Sequence, residues 1–421
     1  MASFKKDKQF YKFAFYGFLK NIRFTDPFIL LFFIDVGLSY TAIGVLFAIR
    51  SVLVYVFEIP SGIFADGYGR RKAMLICFSS YICSFLVFFF LSGFPVYVVG
   101  MLLFAMGEAF RTGTHKAIIL EHLHRNNLLN KKLEYYGYTR SWSQLGSAFS
   151  ALGAAALVFV TGNYRIIFIS SVIPYIIALF LIASYPSSLD FSDSEKISKE
   201  GLWNRYKESL HGLTILFTNS KSRRGFLNSG IYGGIFKSVK DYIQPVLVQA
   251  ALIIPIFLFL DTEQRPPLMV GLVYAGIYLL TSTASKKSSK LVKKGSDAGP
   301  SINVVFLLSA AAITLSGLLL LLDNPVAAVV CFIVLFIFQN IRRPMEVDYL
   351  SNMISRKAMA SGLSVESQLK SLVTAIVSPL IGIAIDSYGF PTALIVLGGV
   401  TFIAGWILRL SNSDNFQVDI N

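Results

Sequence analysis

Apolar residues come along this chain in blocks of about twenty, separated by short polar and basic stretches, and about twenty residues is the length of helix that crosses a bilayer core. Twelve such blocks predict twelve helices, at 10–35, 40–62, 73–93, 96–120, 139–161, 163–185, 225–259, 267–285, 301–322, 325–346, 361–385 and 390–410. Residues 187–224 interrupt the series. They are rich in Ser, Asp and Lys from Ser187 to Glu200, then place Leu202, Trp203, Tyr206, Leu210, Leu213 and Phe217 at helical spacing. This pattern predicts a linker whose second part lies as an amphipathic helix at the membrane surface. The chain thus divides into an N-terminal six-helix bundle (1–186), the linker (187–224) and a C-terminal six-helix bundle (225–421).

Composition agrees with the pattern. Of 421 residues, 54% are hydrophobic and only 15% charged, with a mean hydropathy of +0.62, whereas a soluble domain carries about a quarter charged residues. A soluble enzyme, a secreted disulfide scaffold and a disordered protein are excluded. The three cysteines, Cys77, Cys83 and Cys331, lie inside apolar blocks and read as small hydrophobes. The amino terminus lacks a small-residue cleavage site and reads as a retained first helix.

A net charge of +14 would suggest nucleic acid in a soluble protein, but its distribution here follows the positive-inside rule. Twenty-five of the 38 Lys and Arg residues fall on one side of the twelve-span arrangement, and only Arg165 and Arg265 on the other. Both termini are expected to be cytoplasmic, with the chain in the cell's inner (cytoplasmic) membrane. No partner other than lipid, a small solute and protons is expected, and the chain reads as a monomer.

Eleven basic residues remain within spans: Lys20, Arg23, Arg50, Arg111, Lys116, Arg140, Lys237, Lys240, Arg342, Arg343 and Lys370. Eight acidic ones accompany them, among them Asp26, Glu108, Asp241, Glu346 and Glu366. Each costs about 2.5–3.5 kcal/mol facing lipid at the membrane centre, so most must face the protein interior. The third, ninth and twelfth blocks have uncharged cores and the sixth has only Arg165 at its end, so every third helix is expected to face lipid.

The halves also resemble each other. Gly44-Val45-Leu46-Phe47-Ala48 in the second block matches Gly271-Leu272-Val273-Tyr274-Ala275 in the eighth, and Ser143-Gln144-Leu145 in the fifth matches Ser367-Gln368-Leu369 in the eleventh. Internal repeats of this kind place transporter binding sites at their interface.

After the second block the chain reads Gly62-Ile63-Phe64-Ala65-Asp66-Gly67-Tyr68-Gly69-Arg70-Arg71-Lys72. Here Gly62 and Gly69 are expected to permit a tight turn and close helix approach. With twelve spans, a 6+6 division, a long middle segment and this loop, nearly the whole chain resembles the major facilitator superfamily. The resemblance implies an all-α membrane protein with twelve transmembrane helices in two pseudo-symmetric six-helix bundles. It also implies secondary transport by alternating access, with Gly62, Asp66, Gly69, Arg70 and Arg71 in a gating loop. Gly67 replaces the first basic residue of the family's loop motif, and the second-half copy near Ser285–Gly295 lacks the Asp. The Gly-Pro motif that the family's proton–drug antiporters carry in the fifth helix is absent.

The intramembrane charges suggest the cargo. Arg23 and Lys240, from the first and seventh helices, are candidates for a basic pair that binds an anionic group, since Arg gives bidentate contacts and Lys a point charge. Arg50, Arg111, Gln144, Lys237, Gln368 and Arg342 are further substrate-binding candidates. Glu108, Glu346 and Asp26 are candidates for proton coupling, with Glu108 expected to exchange an Arg111 pairing for a proton. The competing reading is that Glu108–Arg111, Asp26–Arg23 and Arg342–Glu346 neutralise each other structurally. His115 reads as a structural hydrogen bonder more than a proton carrier. The chain has no Gly-Lys-Ser or Gly-Lys-Thr phosphate loop, metal-ligand cluster or nucleophile–base arrangement, so neither an enzyme nor a cofactor or metal is expected. The function expected is secondary active transport of a small organic anion, driven by protons. The alternative is efflux of hydrophobic drugs by proton antiport.

Overall fold

The computed structural model describes residues 6–190, 220–255, 259–291, 298–353 and 359–410, and every regular element among them is helical. Helix α1 (Lys8–Asn21) opens on Asp7, whose carboxylate accepts from the Phe10 N–H at 2.7 Å and so caps the first turn. It stops well short of the predicted end. Turns at 22–28 separate it from α2 (Ile29–Asp35), where Pro27 has no N–H to donate to the preceding turn and its ring disfavours continuing the helix.

Helix α3 (Tyr40–Tyr68) is longer than predicted and meets α4 (Arg70–Phe90) at a single residue, Gly69, whose φ of +110° suits glycine. The fourth predicted helix is also interrupted. It consists of α5 (Phe94–Arg111) and α6 (Thr114–Arg125), broken at Thr112 and Gly113. Then follow α7 (Lys132–Thr161), α8 (Ile166–Ala183), α9 (Ser220–Val239), α10 (Ile243–Ile253) and α11 (Arg265–Leu291). A 3-10 turn, Lys240–Tyr242, joins α9 to α10. The chain ends in α12 (Ala298–Leu321), α13 (Pro325–Met353), α14 (Met359–Tyr388) and α15 (Phe390–Ile407). The amphipathic helix expected at 202–217 lies outside the described residues. Nine helical stretches among the described residues are long and apolar enough to cross a membrane.

The chain divides into two compact units. One comprises Met1–Asp35, Ile49–Arg205 and Glu263–Tyr278, the other Val36–Ala48, Tyr206–Thr262 and Leu279–Asn421. Two of the boundaries, after Ala48 and after Tyr278, fall inside helices, so the start of α3 belongs to the second unit and the start of α11 to the first. Glycine makes both attachments possible. A side chain on Gly44 would run into the backbone of Ser378 and Pro379 in α14, and one on Gly271 would run into Ala155 in α7. The two glycines that the repeat pairs in sequence therefore hold equivalent packing positions. Beside the first attachment, the Asp386 carboxylate at the end of α14 accepts from the N–H groups of Tyr40 (3.1 Å) and Thr41 (2.8 Å) and caps α3.

The core of the first unit is aromatic. Phe32 meets Phe168 edge-on at 4.7 Å, Phe88 stacks on Phe168 at 4.9 Å, and Tyr81 meets Phe104 edge-on at 5.0 Å. Such pairs add about 0.5–1.5 kcal/mol each to their burial. Outward, α8, α12 and α15 present rows of exposed apolar residues, such as Ile173 and Phe180, Val304 and Leu315, Val396 and Ile403. They are three of the helices expected to face lipid. The fourth, α4, buries Tyr81, Phe85 and Phe88 and exposes Lys72, Ser79, Cys83 and Phe90.

Replacing Gly44 with Leu forces a clash with backbone, which cannot rotate away. Thermal unfolding of the purified protein is expected to show a loss of about 1–3 kcal/mol. Gly276→Leu, which enters open space, serves as the control, and equal behaviour of the two variants would contradict the packing described.

Candidate functional site

The first unit gathers its buried charge around the break in the first predicted helix. Within the break, the Asp26 N–H donates to the Arg23 carbonyl at 3.1 Å and the Phe28 N–H to Thr25 at 3.1 Å, so short turns replace helical hydrogen bonds. The Lys20 carbonyl, left over at the end of α1, accepts from the Tyr175 hydroxyl at 3.1 Å. Asn21 fastens the same end to α7 by donating to the Ser143 carbonyl (2.7 Å) and the Ser147 hydroxyl (2.9 Å). A broken helix at membrane depth survives only where the protein satisfies the freed groups in this way.

Arg23 sits in that break. It pairs with Asp26 at 3.6 Å and lies against the rings of Tyr81 and Phe104, 5.8 and 5.6 Å from their centroids. Arg50 in α3 faces the same Phe104 at 4.6 Å and grips Glu108 with two nitrogens, Nε at 3.1 Å and Nη2 at 3.0 Å. Glu108 thus pairs across helices and not with Arg111, as its spacing had suggested. Arg111 is the last residue of α5, and its Nε contacts the Tyr81 hydroxyl at 3.4 Å. Lys20 lies 5.9 Å from the Tyr16 ring and within electrostatic reach of Arg23 and Arg111. Among the described residues, no carboxylate lies within ion-pairing distance of either Lys20 or Arg111. His115 stacks on Tyr16 at 3.6 Å, with its Nε2 3.2 Å from the Tyr185 hydroxyl, a packed structural position.

The second unit disposes of its charge differently. Arg342 is wholly buried, with Nη2 donating to Asn228 Oδ1 at 2.6 Å and its guanidinium 3.7 Å from the Tyr232 ring centroid. Glu346 pairs with Arg342 at 3.6 Å, Arg343 at 3.3 Å and Lys370 at 3.8 Å. Glu366 accepts from Arg343, from Lys370 and, at 2.8 Å, from the Ser229 hydroxyl. Arg342 Nε and Nη1 and Glu346 Oε1 are nonetheless buried without a hydrogen-bond partner among the described residues. The network's organising carboxylate, Glu366, was not among the candidate site residues, although Glu366 and Lys370 stand four apart on one helix. Lys240 pairs with the neighbouring Asp241 at 2.5 Å. Gln368 is buried, while Gln144 and Lys237 are partly exposed. Arg23 and Lys240, proposed from sequence as a pair, belong to different units and are each described within their own.

The loop motif differs from its expected form. Gly62 and Asp66 lie inside α3, and a side chain on Gly62 would enter open space, so Gly62 provides neither turn nor close approach. Only Gly69 turns the chain. The cap of α4 comes from a residue the sequence did not suggest, Asp190. Its carbonyl accepts from the Arg70 N–H (3.1 Å), and its carboxylate accepts from the Arg71 N–H (2.8 Å) and faces Arg71 Nε at 3.6 Å. Arg71 also donates to the Tyr185 carbonyl at 3.0 Å, and Arg70 lies 4.0 Å from Glu121.

Helices of this length, with a broken first helix lined with cations and a loop capped by Asp190, define a polytopic all-helical membrane architecture. The chain belongs to the major facilitator superfamily, whose family model matches residues 15–365; it is a multi-pass membrane protein. A stretch of 89 residues is 26% identical to the uncharacterized MFS-type transporter YxaM of Bacillus subtilis (strain 168), covering 21% of this chain and 22% of that relative. Among solved structures, a mutant of the nucleoside transporter NupG superposes with a TM-score of 0.76 at 13% identity, covering 95% of this chain and 98% of the other. The peptide transporter POT in complex with sulfate gives 0.73 at 13% identity, covering 95% and 93%. At such identities the likeness concerns the fold.

The Arg50–Glu108 pair is tested by a double-mutant cycle. Arg50→Met alone strands a largely buried carboxylate and is expected to destabilise more than Arg50→Met with Glu108→Leu. Additive losses in thermal unfolding would show that the two do not act as a pair.

Proposed function

We propose that this chain is a secondary active transporter for a small organic anion, and that Lys20, Arg23 and Arg111 of the first unit bind the anionic group. One observation carries the reading. Asp26 is engaged by Arg23 and Glu108 by Arg50, whereas Lys20 and Arg111 have no carboxylate partner among the described residues. Two cations held together in a largely apolar interior repel each other unless a counter-ion arrives. A carboxylate or phosphate group supplies that counter-ion, and Arg offers it a two-toothed contact. The aromatic floor of Tyr16, Tyr81 and Phe104 suits an organic body behind the charge.

The twelve-span arrangement in two six-helix bundles, with both termini cytoplasmic in the inner membrane, belongs to the same proposal, as does alternating access. So does coupling to protons. Glu108 loses its charge on protonation and releases Arg50, which raises the positive potential facing the anion. In the second unit, Glu346 is the proposed coupling group.

The test is a thermal-shift screen of the purified protein against carboxylates, phosphate esters and lipophilic cations at two pH values. Stabilisation by an anion, lost in Lys20→Gln and Arg111→Gln, is the expected outcome. Stabilisation by lipophilic cations alone would overturn it. In reconstituted vesicles, Glu108→Gln is expected to retain binding while flattening the pH dependence of transport; an unchanged pH profile removes Glu108 from the coupling.

A further inference from the structure

A cleft lined by polar and charged side chains lies in the first unit, away from the cation cluster. It has a volume of about 510 Å³ and forms where the first turn of α1, the last turn of α6 and residues 186–189 meet. Its walls include Lys8, Lys12 and Arg125, against a single carboxylate, Asp7. That carboxylate is already committed. One oxygen caps α1 through the Phe10 N–H at 2.7 Å, and the other lies 3.3 Å from His122 Nε2. Two of the cations are held in place from behind. Lys12 donates to the carbonyl and hydroxyl of Ser184 at 2.7 and 2.9 Å, and Arg125 Nε to Glu121 at 2.7 Å.

The feature that demands a ligand is Gln9. This residue is only 8% exposed, it lines the cleft, and its amide Nε2 is buried with no hydrogen-bond partner among the described residues. A buried amide is costly to leave unsatisfied. Beside it, the backbone N–H groups of Lys8 and Gln9 open α1 and have no carbonyl within the helix to bond. Helix amino termini of this kind favour anions through both those donors and the helix dipole. The charged groups of the cleft other than Asp7 are thus all cationic, and the stranded Gln9 amide adds a donor.

We propose that this cleft binds a phosphate-bearing ligand, with the Gln9 amide and the α1 amino terminus donating to the phosphate oxygens and Lys8, Lys12 and Arg125 balancing its charge. The cleft is much larger than a phosphate ion, so the phosphate carries a polar organic substituent of glycerol size or more. Two sources share this chemistry, the headgroup of an anionic phospholipid and a soluble phosphate ester.

The experiment uses the full-length protein, delipidated in detergent. Native mass spectrometry with dioleoyl phosphatidylglycerol or dioleoyl phosphatidylcholine tests the lipid, and calorimetric titration with glycerol 3-phosphate tests the soluble ester. Retention of phosphatidylglycerol at least tenfold above phosphatidylcholine assigns the cleft to a lipid headgroup, and saturable binding of glycerol 3-phosphate assigns it to a soluble ester. Either is expected to weaken at least tenfold in Lys8→Ala combined with Gln9→Leu. Gln9→Leu alone keeps the volume of the side chain and removes the stranded amide, so the unliganded protein is expected to unfold at a higher temperature. Binding of neither probe above the phosphatidylcholine level, or equal binding by wild type and the double variant, overturns the proposal.

Discussion

An ionised or hydrogen-bonding group inside an apolar slab has no water to fall back on, and it must find its partner within the protein. The two units meet this constraint in different ways. In the second, Arg342, Arg343 and Lys370 share two carboxylates, Glu346 and Glu366, with Asn228 taking one guanidinium nitrogen of Arg342, so every cation there has a carboxylate within reach. In the first, the carboxylates are consumed before the cations are. Arg23 and Arg50 then borrow the faces of Tyr81 and Phe104, and Lys20 and Arg111 make do with tyrosines. Aromatic faces contribute about 0.5–2 kcal/mol to a nearby cation, which is less than a carboxylate would give. A protein that leaves such a cluster incompletely neutralised retains a place for a counter-ion that can come and go.

Much of the fold was legible in the sequence because apolar blocks of membrane length admit few other structures. The paired glycines 44 and 271 were legible too, since their surroundings repeat. The ends of elements were less so. Pro27 marks the break after Asn21, yet the unbroken hydrophobicity around it reads as one helix. The stretch from Gly62 to Tyr68 looks like a loop by composition but continues α3, because nothing in it forbids a helix until Gly69.

Charge partners were hardest to read. Glu108 and Arg111 stand three apart, the spacing of neighbours on a helix surface. However, Arg111 ends its helix and turns to Tyr81, while Arg50 of another helix offers Glu108 two nitrogens. Such choices depend on helix rotation and crossing, which spacing along one helix does not contain. Asp190 was invisible for a similar reason. It caps a helix that begins 120 positions earlier in the chain.

The Asp386 cap on α3 has a consequence for biosynthesis. Helix α3 is among the first segments to leave the ribosome, but the carboxylate that satisfies its opening N–H groups is made some 345 residues later. Throughout translation the amino-terminal end of α3 must therefore rely on water or lipid headgroups for those donors. The start of α11 has no such wait, since α7, which receives Gly271, is already in place. The seating of α14 on α3 accordingly comes late in assembly, and a nascent chain truncated before Asp386 would hold most of its helices while its second predicted span stayed loose at one end.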